Sequence, residues 1–353
     1  MTAVARPRMP VLLTNPSRRT IIRSYNLCLI GLGNVNRTLL RLLERNRREL
    51  EGRGIQWRIT GVATRRIGWV ADASGFDVEQ ILGGATLSAT GPQNVRQWIE
   101  ASAADVLLEA SPLNPTNGQP AIEYLRAALE CRVHAITANK GPIVHAYEEL
   151  RSLAARHHCR FLFESTVMDG MPIFSLFEQD LPLVHVKGFR GILNSTTNLI
   201  LSGMESGLSY EESLARAQQL GIAEADPSHD VDGWDAAVKT TVLIRVLMGQ
   251  PIQLAEVERE GIRRLTAAEV RAARGQGKPY KLLCQAGRED GRVIARVSPQ
   301  QIPLSDPLAG VDGTSSMVEF ETDLLPGFAI RETNPGLEAT AYGMLADFVR
   351  AVT

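Results

Sequence analysis

Residues 26–46 read NLCLIGLGNVNRTLLRLLERN. An apolar run ends at Ile30, two glycines follow, and Val35, Leu39, Leu42 and Leu43 then recur at the spacing of one helix face. The stretch therefore predicts strand, glycine turn and helix. Gly31 allows the tight turn, and Gly33 leaves room for a pyrophosphate to approach the backbone at the helix N-terminus. Asn36 stands where a third glycine usually lets helix and strand pack closely, which predicts slightly wider packing.

Working outward, the next strand is expected in WRITGVATRRIG, residues 57–68. It ends in Thr64, Arg65 and Arg66, without the acid that would bond a ribose 2′-hydroxyl. Two arginines there suit a 2′-phosphate, which favours NADP with NAD as the alternative; they equally fit a solvated surface. Apolar strands at DVLLEA (105–110), RVHAIT (132–137) and RFLFES (160–165) alternate with helical runs at 119–130 and 144–158. This alternation predicts an α/β fold with a Rossmann-type, doubly wound parallel sheet. Ligands gather at the carboxyl ends of such strands. Two ends are notable: Glu109, Ala110, Ser111 and Pro112 on one, and ITANKGP carrying Lys140 on the other.

The second half reads as an α+β domain. VHVKGFRGIL predicts a strand that ends in the polar cluster Asn194, Ser195, Thr196, Thr197 and Asn198. Ser209 and Glu212 form a capping-box pattern. Short strands are expected at 279–287, 292–298, 316–321 and 327–331, and an amphipathic helix over 334–352. The expected organisation is a basic N-terminal extension at 1–24, a dinucleotide-binding domain at 25–165, a substrate-binding and dimerisation domain at 166–332, and a C-terminal helix at 333–353 returning to the nucleotide domain.

Between the polar cluster and the last strands lies EADPSHDVDGWDAAVK, residues 224–239, with five carboxylates and one lysine in sixteen residues. Asp232 is expected to cap a helix starting near Gly233 and ending at Gly249. Asp235 and Lys239 then share one helix face, acid first. Val238, Val242, Leu243 and Val246 surround the lysine, so its ammonium is expected to be partly desolvated. A solvated acidic loop with an ordinary ion pair is one reading, and a pocket that grips an ammonium while offering a lysine to a reacting oxygen is the other. A calcium loop is excluded, because Val231 replaces its turn glycine.

Composition narrows the class. The chain has 353 residues, 44% hydrophobic and 22% charged, with a formal net charge of −1. That balance gives no basic field for nucleic acid. No apolar window approaches the ~18 residues of a membrane span. Cys28, Cys131, Cys159 and Cys284 form no CxxC, and three of them fall in strand-like runs. A cytoplasmic location is expected. The first 24 residues carry five arginines and no acid but lack the apolar core of a secretory signal. A disordered arm or an upstream start codon accounts for them more readily than a transit peptide.

From Asn26 to the end the chain resembles homoserine dehydrogenase, in a short form without the C-terminal regulatory domain. GLGNV, TANKGP, ESTVMDGMPI, GILNSTTN and above all LGIAEADPSHDVDGWDAAVK carry the resemblance, in that order. It implies hydride exchange between NAD(P) and the pair L-aspartate 4-semialdehyde and L-homoserine, in a homodimer. It further implies that Lys239 is the proton donor, Asp235 the acid beside it, and Lys140 a lysine near nicotinamide and substrate. Glu224, Asp230 and Thr196 match substrate-binding positions. Gly31, Gly33, Asn34, Val35, Ser111 and Lys140 match cofactor contacts. Glu164, Val167, Asp169 and Met171 match positions that hold a monovalent cation such as Na+ in some members, mainly through carbonyls. Ser195 and Ile222 depart from the family's usual glycine and tyrosine. Two rivals stay open: a related oxidoreductase acting on another small amino acid or oxo acid, and a non-catalytic nucleotide sensor, although a sensor has no use for a proton donor. A cysteine thioester route is disfavoured, since no Cys adjoins the candidate residues.

Overall fold

The computed structural model describes residues 22–84, 87 and 91–353. Most of the basic N-terminal extension lies outside them. The first half contains β1 (Arg23–Ile30), α1 (Asn34–Arg45), α2 (Arg47–Gly52), β2 (Ile55–Thr64), β3 (Gly68–Phe76), α3 (Val78–Gly83), α4 (Val95–Ala101), β4 (Val106–Glu109), α5 (Ala121–Glu130), β5 (His134–Thr137), α6 (Lys140–His157) and β6 (Phe161–Leu162). The second half contains β7 (Val186–Ile192), α7 (Ser195–Glu205), α8 (Tyr210–Gln219), α9 (Ser228–Val231), α10 (Trp234–Leu247), β8 (Glu258–Arg259), α11 (Ala267–Gly275), β9 (Tyr280–Glu289), β10 (Arg292–Gln301), β11 (Ser316–Thr322), β12 (Phe328–Glu332) and α12 (Leu337–Val352).

The first sheet has the order β3-β2-β1-β4-β5-β6. Neighbours from β2 to β6 run parallel, while β3 pairs antiparallel with β2. The expected all-parallel sheet thus has an antiparallel edge. Three residues separate β2 from β3, too few for a crossover, so the chain must turn straight back. Thr64 Oγ1 accepts the N–H groups of Arg66 and Ile67 in that turn. The central strands are buried on both faces, which is why they read as continuous apolar runs.

Helix α12 returns to this half. Its Ala341, Met344, Leu345 and Phe348 are buried with Leu27, Leu39 and Leu43 of β1 and α1. Each fully buried large side chain contributes about 1.5–3 kcal/mol. The second sheet, β12-β11-β7-β9-β10-β8, is antiparallel except where β8 meets β10. Helix α10 packs on β9 and β10 and also reaches α6 of the first half. Arg245 of α10 bonds Glu148 of α6 at 2.9 Å, bracing the two halves.

Two local expectations need correction. Asp232 does not cap α10: Gly233, at φ 82°, is the cap residue, and no side-chain capping bond is made. That left-handed turn, followed from the short helix α9, points Asp232 instead to Arg263 at 2.7 Å. Of the cysteines, only Cys28 and Cys284 lie in strands; Cys131 caps the end of α5 and Cys159 follows α6. Among the described residues, no helix is long and apolar enough to cross a membrane.

Candidate active site

The glycine turn sits at the end of β1, where the order of strands reverses between β1 and β4. Gly31 has φ 80°, and a Cβ there would lie 2.5 Å from the carbonyl oxygen of Ala110, so only glycine fits. A Cβ on Gly33 would meet nothing within 4 Å, which leaves open space at the N-terminus of α1. The first turn of α1, beginning Asn34–Val35, holds no acid. This cradle suits the pyrophosphate of a dinucleotide. Asn36 takes over part of the missing glycine's work: its buried amide donates to the carbonyls of Ile30 at 3.1 Å and Gly31 at 2.6 Å, tying the turn shut. Arg65 and Arg66 are both exposed at the β2–β3 turn.

Lys140 is the first residue of α6, capped by Asn139, whose side-chain oxygen accepts the N–H of Gly141 at 3.0 Å. A cation in the first turn opposes the helix dipole, so it needs a partner. Asp235 of α10 supplies it, with Lys140 Nζ to Asp235 Oδ1 at 3.2 Å. The other oxygen of Asp235 lies 3.2 Å from Lys239 Nζ, one helical turn on. Asp235 therefore stands between two ammonium groups, 12% exposed at its side chain. Burial pushes its carboxyl up, but Lys239 and then Lys140 reverse this and hold it far below the usual carboxylate range. For Lys239 burial acts downward, and Asp235, Asp169 and Asp230 outweigh it, so the ammonium is held above its ordinary value.

The end of β7 completes the arrangement. Lys239 Nζ donates to the carbonyl of Leu193 at 2.7 Å. Asn194 Nδ2 donates to Asp230 at 2.7 Å and to Asp235 at 3.0 Å, while its oxygen caps α7. Asp230 is pushed up by burial and by the nearby Asp235 carboxylate, with Asn194, Thr196 and Lys239 opposing. Thr196 donates to the backbone carbonyl of Ile222 at 3.3 Å, a contact indifferent to the side chain at 222. Glu224 is exposed, and its carboxylate joins none of these bonds. Ser111, just past β4, is bonded to Glu109 and accepts from Asn139 through its carbonyl.

The structure thus brings Lys140, Asp230, Asp235, Lys239 and Thr196 together and leaves Glu224 outside the bonded cluster. Leu193 was not named from sequence, and Asn194 and Glu109 were noted only as members of the polar cluster and of a strand end, without a role of their own. Asn194 had one available signal, its place just before an apolar-to-polar switch where a cap is needed. Glu332, at the end of β12, has no such signal. It is 5% exposed, neither carboxyl oxygen has a hydrogen-bond partner, and burial followed by the neighbouring Asp169 pushes it up to about 8.

The carboxylates at the cation positions are already engaged within the protein. Glu164 accepts the N–H groups of Phe174 at 2.7 Å and Ser175 at 3.0 Å and the guanidinium of Arg350 at 2.9 Å. The carbonyl of Met171 accepts the N–H of Ile173, and the Asp169 carboxylate accepts the Thr340 hydroxyl. These bonds occupy the side chains of Glu164 and Asp169, so the backbone carbonyls, each with two lone pairs, are the groups left to hold an ion, and no group of three or more His, Cys, Asp or Glu poised for a metal occurs among the described residues.

A nucleotide cradle facing a lysine–aspartate–lysine array agrees with what the chain is similar to. Residues 31–164 match the family model for the homoserine dehydrogenase NAD-binding domain, and residues 172–349 match the homoserine dehydrogenase model. An NAD(+)-dependent homoserine dehydrogenase of Pseudomonas canavaninivorans is 34% identical over 92% of this chain and 95% of its own length. A homoserine dehydrogenase of Methanocaldococcus jannaschii is 32% identical over 92% and 97%. Among solved structures, a homoserine dehydrogenase from Thiobacillus denitrificans superposes with a TM-score of 0.81 at 30% identity, covering 94% of this chain and 74% of that one. A hyperthermophilic archaeal homoserine dehydrogenase mutant in complex with NADPH gives 0.78 at 26%, covering 94% and 98%. With matches over both halves of the chain, each in register with one half of the site, the protein belongs to the homoserine dehydrogenase family.

Proposed function

We propose that the protein catalyses the reversible, nicotinamide-linked reduction of L-aspartate 4-semialdehyde to L-homoserine, a step toward threonine and methionine. The observation that carries this reading is Asp235 held between Lys140 and Lys239 at 3.2 Å each, at the crevice beside the cradle. When bound over Gly31, Gly33, Asn34 and Val35, the dinucleotide supplies the hydride. Lys239 has three N–H groups, of which two are engaged by Leu193 and Asp235. The third is free to meet the aldehyde oxygen, stabilise the charge that develops there and transfer its proton. Lys140 orients substrate and ring. Asp230, steadied by Asn194, and Glu224, reaching in from its exposed loop, take the substrate ammonium beside Thr196.

Arg65 and Arg66 favour NADPH through its 2′-phosphate, with Ser111 contacting the nicotinamide end. The backbone carbonyls of Glu164, Val167, Asp169 and Met171 would hold a monovalent cation such as Na+. The chain works as a cytoplasmic homodimer paired through its second half. Purified protein is tested with homoserine and other hydroxy amino acids, each with NADP+ and NAD+, following reduced nicotinamide by absorbance. Homoserine is expected to be the preferred substrate. No homoserine-dependent reduction, or a faster reaction with another hydroxy amino acid, overturns the assignment.

A further inference from the structure

Glu109 is a fully buried carboxyl that the mechanism above does not use. It ends β4, flanked by β1 and β5, directly beneath the crevice. A carboxyl in so apolar a place is costly unless both oxygens are satisfied. Here they are. Oε1 accepts the backbone N–H of Ser111 at 2.7 Å and the Ser111 hydroxyl, and Oε2 accepts the Thr137 hydroxyl at 2.5 Å. Thr137 passes the connection on, since its oxygen accepts the N–H of Asn139 at 2.9 Å. Asn139 caps α6 through Gly141 and reaches back to the Ser111 carbonyl at 3.3 Å. Lys140 stands between the capping residue and the capped amide.

We propose that Glu109 is a positioning residue that ties the end of β4, with Ser111, to the end of β5, with Lys140, and so holds the Lys140 ammonium against Asp235. The chain of bonds is closed: Glu109 to Thr137 to Asn139, and Asn139 back to Ser111. A glutamine would keep the volume but turn one acceptor into a donor, so the Thr137 hydroxyl could no longer donate to it and would have to reverse, on an oxygen that already accepts from Asn139. Freed from that tie, the loop before α6 lets Lys140 move away from Asp235, and an ångström there is enough to slow the reaction. This rests on the proposed function, in which Lys140 orients substrate and ring.

The test is a double-mutant cycle of Glu109→Gln and Lys140→Met, reading kcat, KM for the cofactor and thermal unfolding in parallel. Glu109→Gln is expected to lower kcat about 10- to 100-fold in the wild-type background. In the Lys140→Met background the same change is expected to alter kcat by less than roughly threefold, because the group it orients is gone. Losses that multiply overturn the proposal. So does a Glu109→Gln variant that unfolds earlier yet turns over like wild type, the signature of a structural role alone. Should Glu109→Gln not fold, Thr137→Val removes the same tie and is expected to reproduce the loss, while Thr137→Ser keeps the hydroxyl and restores turnover; equal rates for these two refute the tie. A wild-type chain inert toward homoserine overturns the proposed function instead, and that control is read first.

Discussion

Replacing Asp235 by Asn removes the one negative charge between two ammonium groups. At 3.2 Å each pair is worth about 5 kcal/mol at an effective dielectric of about 20, before desolvation is subtracted. Breaking buried pairs costs about 3–5 kcal/mol, so a fall in Tm of roughly 4–7 °C is expected by differential scanning calorimetry. The pH profile is the sharper readout. In the wild type, Lys239 titrates above its ordinary 10.5, so its stabilising charge is fully present below that value and lost as pH rises through the higher folded one. Asp235 titrates below its ordinary 3.8, so its contribution is present above that value and lost only as pH falls through the lower one. Neither group changes charge in the neutral range, and wild-type turnover in the reducing direction should have no alkaline limb from Lys239 until beyond 10.5. In Asp235→Asn, burial acts on Lys239 with only Asp169 and Asp230 opposing. The alkaline limb of kcat for aldehyde reduction should then move to lower pH. Turnover should fall about 100-fold or more. An unmoved alkaline limb with turnover near wild type would refute the array as the catalytic centre.

Lys239→Ala is expected to lower kcat about 100-fold or more while NADPH binding, followed by fluorescence, stays nearly intact; wild-type-like turnover sinks its role as proton donor. Alanine at both Arg65 and Arg66 should weaken NADPH far more than NADH, and equal losses count against the 2′-phosphate reading. Burial pushes the thiols of Cys28 and Cys284 up to about 12, so both stay protonated and unreactive near neutral pH. A thiol-reactive chromophore should therefore label only Cys131 and Cys159 in the native protein and all four residues in denaturant; prompt labelling of Cys284 would contradict its packing beneath α10.

Local sequence carried the elements whose cause is local. The spacing of Val35, Leu39, Leu42 and Leu43 and the glycine turn before them announce β1 and α1, and the run to Gly249 announces α10. The acid and lysine of α10 meet because residues four apart share a helix face. The antiparallel β3 was missed because its residues, Gly68–Phe76, alternate weakly and expose much of their length. Asp232 was misplaced because a capping pattern cannot reveal a glycine that turns left-handed, nor an arginine, Arg263, waiting farther along the chain.

What the sequence by itself determined is the inventory: a nucleotide cradle, a Thr-rich strand end, and a helix bearing Asp235 and Lys239. What only the tertiary structure decided is which of these groups meet. Lys140 in isolation is an ordinary loop lysine, and it acquires a role only because packing of α6 on α10 brings it to the free oxygen of Asp235. Asn194 and Glu109 likewise matter through partners far away in the chain. Periodicity and turn chemistry act over a few residues, whereas a buried charge is satisfied by whatever the fold delivers to it, and that delivery is written in no single stretch.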